Sequence, residues 1–419
     1  MTTWVEHAIW WQVYPLGFVG AYPAATPPTP AEHRLRRLVD WLDHAVRLGV
    51  SGIALGPIFD SRTHGYDTTD HYVIDPRLGN LDDFDHLVTE AHARGLRVLL
   101  DGVFNHVGPM FTRPELFKRR GNTVATFEGH DGLLTLDHSK PELIEYVVDV
   151  MCHWLTRGAD GWRLDAAYAV PDRFWNAVLP NVRDRFPDAW FVGEVIHGDY
   201  PARVQASTVD SVTQYELWKA IWSSLNDANF HELDWALQRH NEFLNSFVPL
   251  TFVGNHDVTR IASCLRDRRH REHALVILLT IGGVPSIYAG DEWGWTGVKE
   301  ERFGGDDAVR PEFAPSPTEA DNDMTRLHRF LIGLRRDHPW LHRARTETLR
   351  IDNRQYVYRS TDGERSIVVA LNVADEPLHL PADGAAAGYR VLGGSGAPAP
   401  AVLETVSVPP QGWMILAPH

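Results

Sequence analysis

From about residue 9 to residue 340 the chain alternates short apolar runs with segments whose apolar residues recur at helical spacing. The apolar runs fall at 9–16, 52–58, 96–100, 162–164, 190–192, 250–253 and 284–288, and 210–213, polar except for Val212, is read as the sixth strand in the series. Between them, Leu35, Leu38, Val39, Leu42 and Val46 mark one amphipathic helix, and Gly49 stands where a helix C-terminal glycine closes it. Leu143, Val147, Met151 and Trp154 mark another, and Met324, Leu327, Leu331 and Leu334 the last. Two helices are expected between 216 and 245. Strand and helix alternating eight times predict an α/β chain closed into a parallel (β/α)8 TIM barrel. In such a barrel the chemistry gathers at the C-terminal rim of the strands.

Four of the runs end in polar residues. They are Asp101-Gly102-Val103-Phe104-Asn105-His106, Gly161-Trp162-Arg163-Leu164-Asp165, Val192-Gly193-Glu194 and Val253-Gly254-Asn255-His256-Asp257. Each delivers a carboxylate where a strand leaves the core. The 107–136 segment after the third strand is too long for an ordinary barrel loop and is expected to form a short inserted lobe. The barrel is then residues 1–106 and 137–340. After 340 the texture changes to short β-rich runs at 354–359, 366–372, 388–392 and 413–416, which predict a C-terminal antiparallel β-sandwich domain over 341–419. The Pro-rich stretch 22–30 reads as a surface loop. The 393–400 stretch reads as a turn, because no periodic helix follows it as a nucleotide-binding loop requires.

Composition narrows the partners. The net charge of −15 disfavours nucleic acid and anionic membrane surfaces, both of which need a basic face, and leaves a neutral substrate unaffected. No run approaches the ~20 apolar residues of a membrane span, and residues 1–10 lack a basic segment followed by an apolar one, so a cytoplasmic enzyme is expected. The two cysteines, Cys152 and Cys264, are far apart and read as isolated thiols. No Cys-x-x-Cys, His-Glu-x-x-His or phosphate-loop pattern is present. Most of the 15 Trp are expected in the core.

Cleaving a glycosidic bond needs one carboxylate at the anomeric carbon and one carboxylic acid at the leaving oxygen, about 5 Å apart in retaining enzymes. The four polar tips, in this order, resemble the α-amylase superfamily of glycoside hydrolases. The resemblance implies Asp165 as nucleophile, Glu194 as acid/base and Asp257 as the residue that grips sugar hydroxyls. Arg163 lies two residues before Asp165 on the same face of its strand and can hold it ionised. Glu194 needs a raised pKa, which burial and the neighbouring charges supply. The resemblance assigns His106 and His256 to sugar binding and Tyr66 to the platform under the bound ring. It also implies that Asp67 pairs with Arg310. Asp101 reads as a structural partner of Arg163. Asn105 is a calcium ligand in true α-amylases, but the short lobe and the 17–30 loop offer no acidic cluster, so no cofactor and no calcium are expected.

His64-Gly65-Tyr66-Asp67-Thr68-Thr69-Asp70, Gly193-Glu194-Val195 and Phe303-Gly304-Gly305-Asp306 look like the corresponding stretches of cyclomaltodextrinases and neopullulanases. Those relatives carry an extra N-terminal domain that builds a dimer. Here the barrel pattern begins by about residue 8, so a homodimer would form differently. The expected function is a retaining hydrolase of α-1,4 (or α-1,6) linkages in short or cyclic malto-oligosaccharides, of cyclomaltodextrinase or cyclic maltosyl-maltose hydrolase type. An exo-acting α-glucosidase, or a trehalose- or sucrose-acting transglycosylase or isomerase, is the alternative. His197, Tyr200, Tyr215 and Trp218 are candidates to line the acceptor side.

Overall fold

A computed structural model describes residues 3–21, 33–302, 304–318, 320–380, 389–395 and 406–418. The 22–30 loop, Phe303 and residues 396–400 of the expected turn lie outside the described residues. Eight parallel strands form the central sheet. They are β1 (Trp10–Val13), β2 (Gly52–Leu55), β3 (Arg97–Gly102), β4 (Gly161–Leu164), β5 (Trp190–Gly193), β6 (Ser211–Val212), β7 (Leu250–Phe252) and β8 (Val284–Tyr288). Their order is β6-β5-β4-β3-β2-β1-β8-β7. Just past β6, the Gln214 amide donates to the Leu250 carbonyl of β7 at 2.9 Å, so the order runs round on itself as a TIM barrel requires.

The strands are buried on both faces, which is why they read as near-continuous apolar runs. Helix Val39–Leu48 ends at Gly49, whose φ of 96° suits a residue without Cβ. Val46, counted on its apolar face, is exposed; Trp41, Leu42, Ala45 and Leu48 carry the packing. Asn80 and Asp83 form a capping box that starts helix Leu81–Ala93. The two helices expected before β7 are Tyr215–Asp227 and Phe230–Phe243. Trp10, Trp11, Trp41, Trp154, Trp162, Trp175 and Trp190 are fully buried. Both cysteines are free.

The chain partitions into two compact units. The first is Met1–Thr213 with His256–Val258 and Lys299–Ala320; the second is Gln214–Asn255 with Thr259–Val298 and Asp321–His419. In the first unit, two antiparallel additions rise beyond the strand ends. Phe59–Ser61 pairs with Thr68–Ile74 around the 62–67 turn, a ribbon the sequence reading missed. In the 107–136 region, His130–Thr135 pairs with both Thr126–Phe127 and His106–Val107.

In the second unit, β9 (Arg345–Ile351), β10 (Gln355–Thr361), β11 (Ser366–Asn372), β12 (Leu378–Leu380), β13 (Tyr389–Gly394), β14 (Val406–Val408) and β15 (Trp413–Pro418) make two antiparallel sheets. The larger has the order β9-β10-β11-β15-β13 and the smaller pairs β12 with β14. Val357, Val368, Leu378, Leu380, Val406, Val408 and Leu416 share one core between them, as in a sandwich. Strand β9 was not expected. It is an edge strand with mostly exposed side chains, so it lacks the apolar alternation that marks a strand. No described helix is long and apolar enough to cross a membrane.

Candidate active site

The parallel register sets Arg163 of β4 beside Asp101 of β3 and Val192 of β5. The ladder continues past the strand ends: Asp165 N–H donates to Gly102 O at 3.0 Å and Glu194 N–H to Leu164 O at 2.9 Å. Backbone hydrogen bonds thus place both carboxylates at one level of the rim. The Arg163 guanidinium sits among three carboxylates, these two and Asp101. Its Nη1 is 2.8 Å from Asp101 Oδ1 and 2.8 Å from Asp165 Oδ1, and its Nη2 is 2.8 Å from Glu194 Oε1. The other oxygen of Glu194 accepts from Ala166 N–H at 2.8 Å. Ala166 is held in the left-handed region, at φ 45°, directly after Asp165. Its strain lets that amide face Glu194.

One cation among three buried carboxylates leaves the set short of positive charge. Burial pushes Asp165 up to about 6, against the pull of Arg163 and with a push from Asp257. Burial likewise raises Glu194 to about 7, with Asp165 and Asp257 adding to it against Arg163. Asp101 is raised by burial to about 7. With one guanidinium among three buried carboxyls, the site holds protons near neutral pH.

Asp257 behaves differently. Burial alone would raise it, but His256, Arg310, Arg163 and Lys299 outweigh burial and hold it below the usual carboxylate range. Burial lowers His256 itself to about 3, so at neutral pH the ring is uncharged and Arg310 is the cation that keeps Asp257 ionised. Arg310 Nη2 lies 2.8 Å from Asp257 and 3.2 Å from Asp306, and Nε donates to the His256 carbonyl at 3.0 Å. The expected Asp67–Arg310 pair does not form. Asp67 instead accepts from Thr63 N–H at 3.2 Å and tightens its own turn. The pairing was implied by the family resemblance; here the 306–310 turn, closed by Arg310 N–H to Asp306 O at 3.1 Å, carries Arg310, whose guanidinium meets Asp257.

The Tyr66 ring lies parallel to His256, with centroids 5.7 Å apart and an interplanar angle of 3°. Its hydroxyl donates to Asp101 at 3.2 Å and contacts His256 Nε2. His256 Nε2 is also 3.0 Å from Asp257 Oδ2. A residue the sequence reading missed completes this network: Gln12 of β1 donates to His256 Nδ1 at 3.1 Å, so the ring proton sits on Nε2 and faces Asp257. The only sequence signal was a polar residue inside an apolar strand.

His106 follows the same plan. Asn105 Nδ2 donates to its Nδ1 at 3.1 Å, which puts the proton on Nε2. That Nε2 is buried, has no hydrogen-bond partner among the described residues and lies 3.8 Å from Asp165 Oδ2. Burial lowers the ring to about 3, so it is a neutral donor waiting for an oxygen. Phe127 stacks on it at 4.6 Å. Of the acceptor-side candidates, Tyr200 is fully buried and donates to Ile196 O at 2.9 Å, which is packing; His197 is exposed. Tyr215 accepts from Asn255 at 2.9 Å and meets Trp218 edge-on.

The site therefore offers two carboxyls of adjusted acidity on one guanidinium, a third held ionised, and a neutral histidine donor aimed at the space between them. The model of the family described as alpha amylase, catalytic domain, matches residues 12–124 and 127–344. The chain is 29% identical to a cyclomaltodextrinase of Geobacillus thermopakistaniensis, over 99% of this chain and 77% of that one. It is 27% identical to an intracellular maltogenic amylase of Bacillus subtilis, over 80% of this chain and 62% of that one. Among solved structures it is similar to the cyclic α-maltosyl-(1→6)-maltose hydrolase of Arthrobacter globiformis, with a TM-score of 0.82, 25% identity and 99% of both chains covered. The chain belongs to the α-amylase catalytic-domain family and is a glycoside hydrolase.

Proposed function

We propose that the protein is a retaining α-glucan hydrolase that cleaves α-1,4 linkages in short or cyclic malto-oligosaccharides, of the cyclomaltodextrinase or cyclic maltosyl-maltose hydrolase type. One observation carries the reading: Asp165 and Glu194 share the Arg163 guanidinium, with Asp165 raised to about 6 and Glu194 to about 7. A double displacement needs Asp165 ionised and Glu194 protonated, and burial with the charges of Asp165 and Asp257 favours a proton on Glu194. Asp165 Oδ2 attacks the anomeric carbon as Glu194 gives its proton to the departing glycosidic oxygen. Glu194, now a carboxylate, then takes a proton from water, and the resulting hydroxide oxygen releases the sugar from Asp165. Asp257, kept ionised by Arg310, and His106 Nε2–H accept from and donate to ring hydroxyls. Side chains supply the nucleophile and the acid, so we assign no cofactor and no calcium. The substrate is neutral, in keeping with a chain of net charge −15, and we assign neither nucleic acid nor membrane as partner. A cytoplasmic location is proposed, supported by the relative named as intracellular.

An exo-acting α-glucosidase is the alternative; an Asp67–Arg310 pair blocking the site would favour it, and Arg310 is engaged with Asp257 instead. The test is a product time course on maltotriose, β-cyclodextrin, cyclic maltosyl-maltose, panose, trehalose and soluble starch. Rapid ring opening with starch barely touched is the expected outcome. Glucose from linear ends with both rings untouched would overturn the substrate class, and new linkages in place of reducing ends would make the enzyme a transglycosylase.

A further inference from the structure

The paired register of β7 and β8 ends with Phe252 opposite Ser286. The chain then runs Val253-Gly254-Asn255-His256-Asp257-Val258-Thr259-Arg260 before the short helix Ile261–Cys264. This tip carries His256 and Asp257, so whatever fixes its two ends limits where Asp257 can stand. One buried side chain touches both ends. Asp291, three residues past β8, accepts from Arg260 Nη1 on its Oδ1 at 2.8 Å. Its Oδ2 lies against the other end: a Cβ built on Gly254 would stand 2.9 Å from it. That is closer than side-chain carbons come to a fixed oxygen, so the backbone can approach here only as glycine.

Both partners are held. The Arg260 side chain is fully buried, its Nη1 also donates to Ala289 O at 3.0 Å, and its guanidinium lies over the Tyr288 ring at 4.3 Å. Its backbone N–H donates to Gly297 O at 3.0 Å. The turn bearing Asp291 is closed by Gly290 N–H to Glu292 Oε2 at 2.8 Å and by the Thr325 hydroxyl to Glu292 O at 3.0 Å. Asp291 Oδ2 has no hydrogen-bond partner among the described residues, and burial raises the carboxyl to about 6 against the pull of Arg260. A buried oxygen left in that state costs stability, and a buried ion pair adds little that a packed apolar pair would not. What the pair does supply is a single geometry, a two-point contact that holds the ends of the tip.

Resting on the role proposed above for Asp257, we infer that Asp291 is a positioning residue for the β7 tip, setting through Arg260 and Gly254 where Asp257 meets the sugar. It acts on the sugar only through that tip. Asp291→Asn keeps the volume and an acceptor for Arg260 but removes the charge, so the Arg260 end loosens. A shift of about 1 Å at a group that holds the substrate is enough to cost on the order of 10²-fold in rate. Gly254→Ala works from the other end. Its φ is not left-handed, so the substitution leaves the ion pair in place and pushes the backbone away from Oδ2.

The experiment is a double-mutant cycle on kcat/KM, run on whichever of the panel substrates wild type cleaves fastest. It compares wild type, Asp291→Asn, Asp257→Asn and the double variant. Asp291→Asn should lower kcat/KM about tenfold in the wild-type background and less than about twofold in the Asp257→Asn background. Should Asp291→Asn fail to fold, Gly254→Ala takes its place in the cycle with the same expectation. Equal losses in both backgrounds, or no loss in the wild-type background, overturn the positioning role, because a contribution to stability alone does not depend on Asp257. Cleavage of none of the panel by wild type overturns the proposed function instead.

Discussion

Asp165→Asn removes the attacking oxygen anion while keeping an acceptor for Arg163, and Glu194→Gln removes the proton donor while keeping its bond from Ala166. Each should lower kcat by about 10³-fold or more with circular dichroism unchanged; near-normal turnover in purified Asp165→Asn would remove it as nucleophile. Gln12 is a positioning residue, acting through His256, and its signature is a pH profile. Gln12→Glu would accept Nδ1–H and raise His256 above about 3, bringing a charged ring and a new ionisation into kcat/KM. Gln12→Leu frees the tautomer and should lower kcat/KM by roughly 10-fold or more. Identical profiles for wild type and Gln12→Glu, with an unchanged His256 ¹⁵N shift, would reduce Gln12 to packing. The three carboxylates were legible in the sequence because each follows the end of a strand run, and Arg163 because it lies two residues before Asp165 on the same face. Gln12 was not, because a single polar residue in a strand carries no statement of what lies across the barrel.

The elements themselves show where pattern suffices and where it fails. Seven of the eight barrel strands were visible as apolar runs, since helices and neighbours cover both faces, and the sixth, Ser211–Val212, was legible only from its place in the alternation. Edge strand β9 and the 62–67 ribbon were not, because exposed pairing needs no apolar period. Close approaches between elements are equally silent in sequence. Gly17, in the short helix Pro15–Phe18, would place a Cβ 2.4 Å from the carbonyl oxygen of Arg310. Gly17→Ala must therefore push away the segment that carries Arg310, and kcat/KM should fall about tenfold. Gly333, in helix Asp323–Asp337, has open space where its Cβ would stand, and Gly333→Ala should instead stabilise by about 1 kcal/mol without touching activity. Equal effects of the two substitutions on turnover would show that the Gly17 contact does not position Arg310.

For the molecule as a whole, the site is a place where stability yields to chemistry. Asp165 rises from 3.8 to about 6 on folding, so the stability tied to its carboxyl is complete below about pH 4 and is lost as pH climbs through about 6. At pH 8 the cost is roughly 3 kcal/mol. Asp165→Asn should thus melt several degrees above wild type at pH 8 and level with it at pH 4, measured by calorimetry; a constant difference at both pH values would show that charge is not the cause. Activity follows the same groups, and kcat/KM should peak between about 6 and about 7, where Asp165 is ionised and Glu194 protonated. What the sequence alone determined was the (β/α)8 barrel, the β-rich C-terminal region and the identity of the rim carboxylates, because periodicity and strand ends are local properties of the chain. What only the tertiary structure decided was who pairs with whom. Arg310 on Asp257 and not Asp67, Gln12 on His256 and Phe127 on His106 all join residues far apart in the chain, and such contacts depend on register and turn geometry that no single segment encodes.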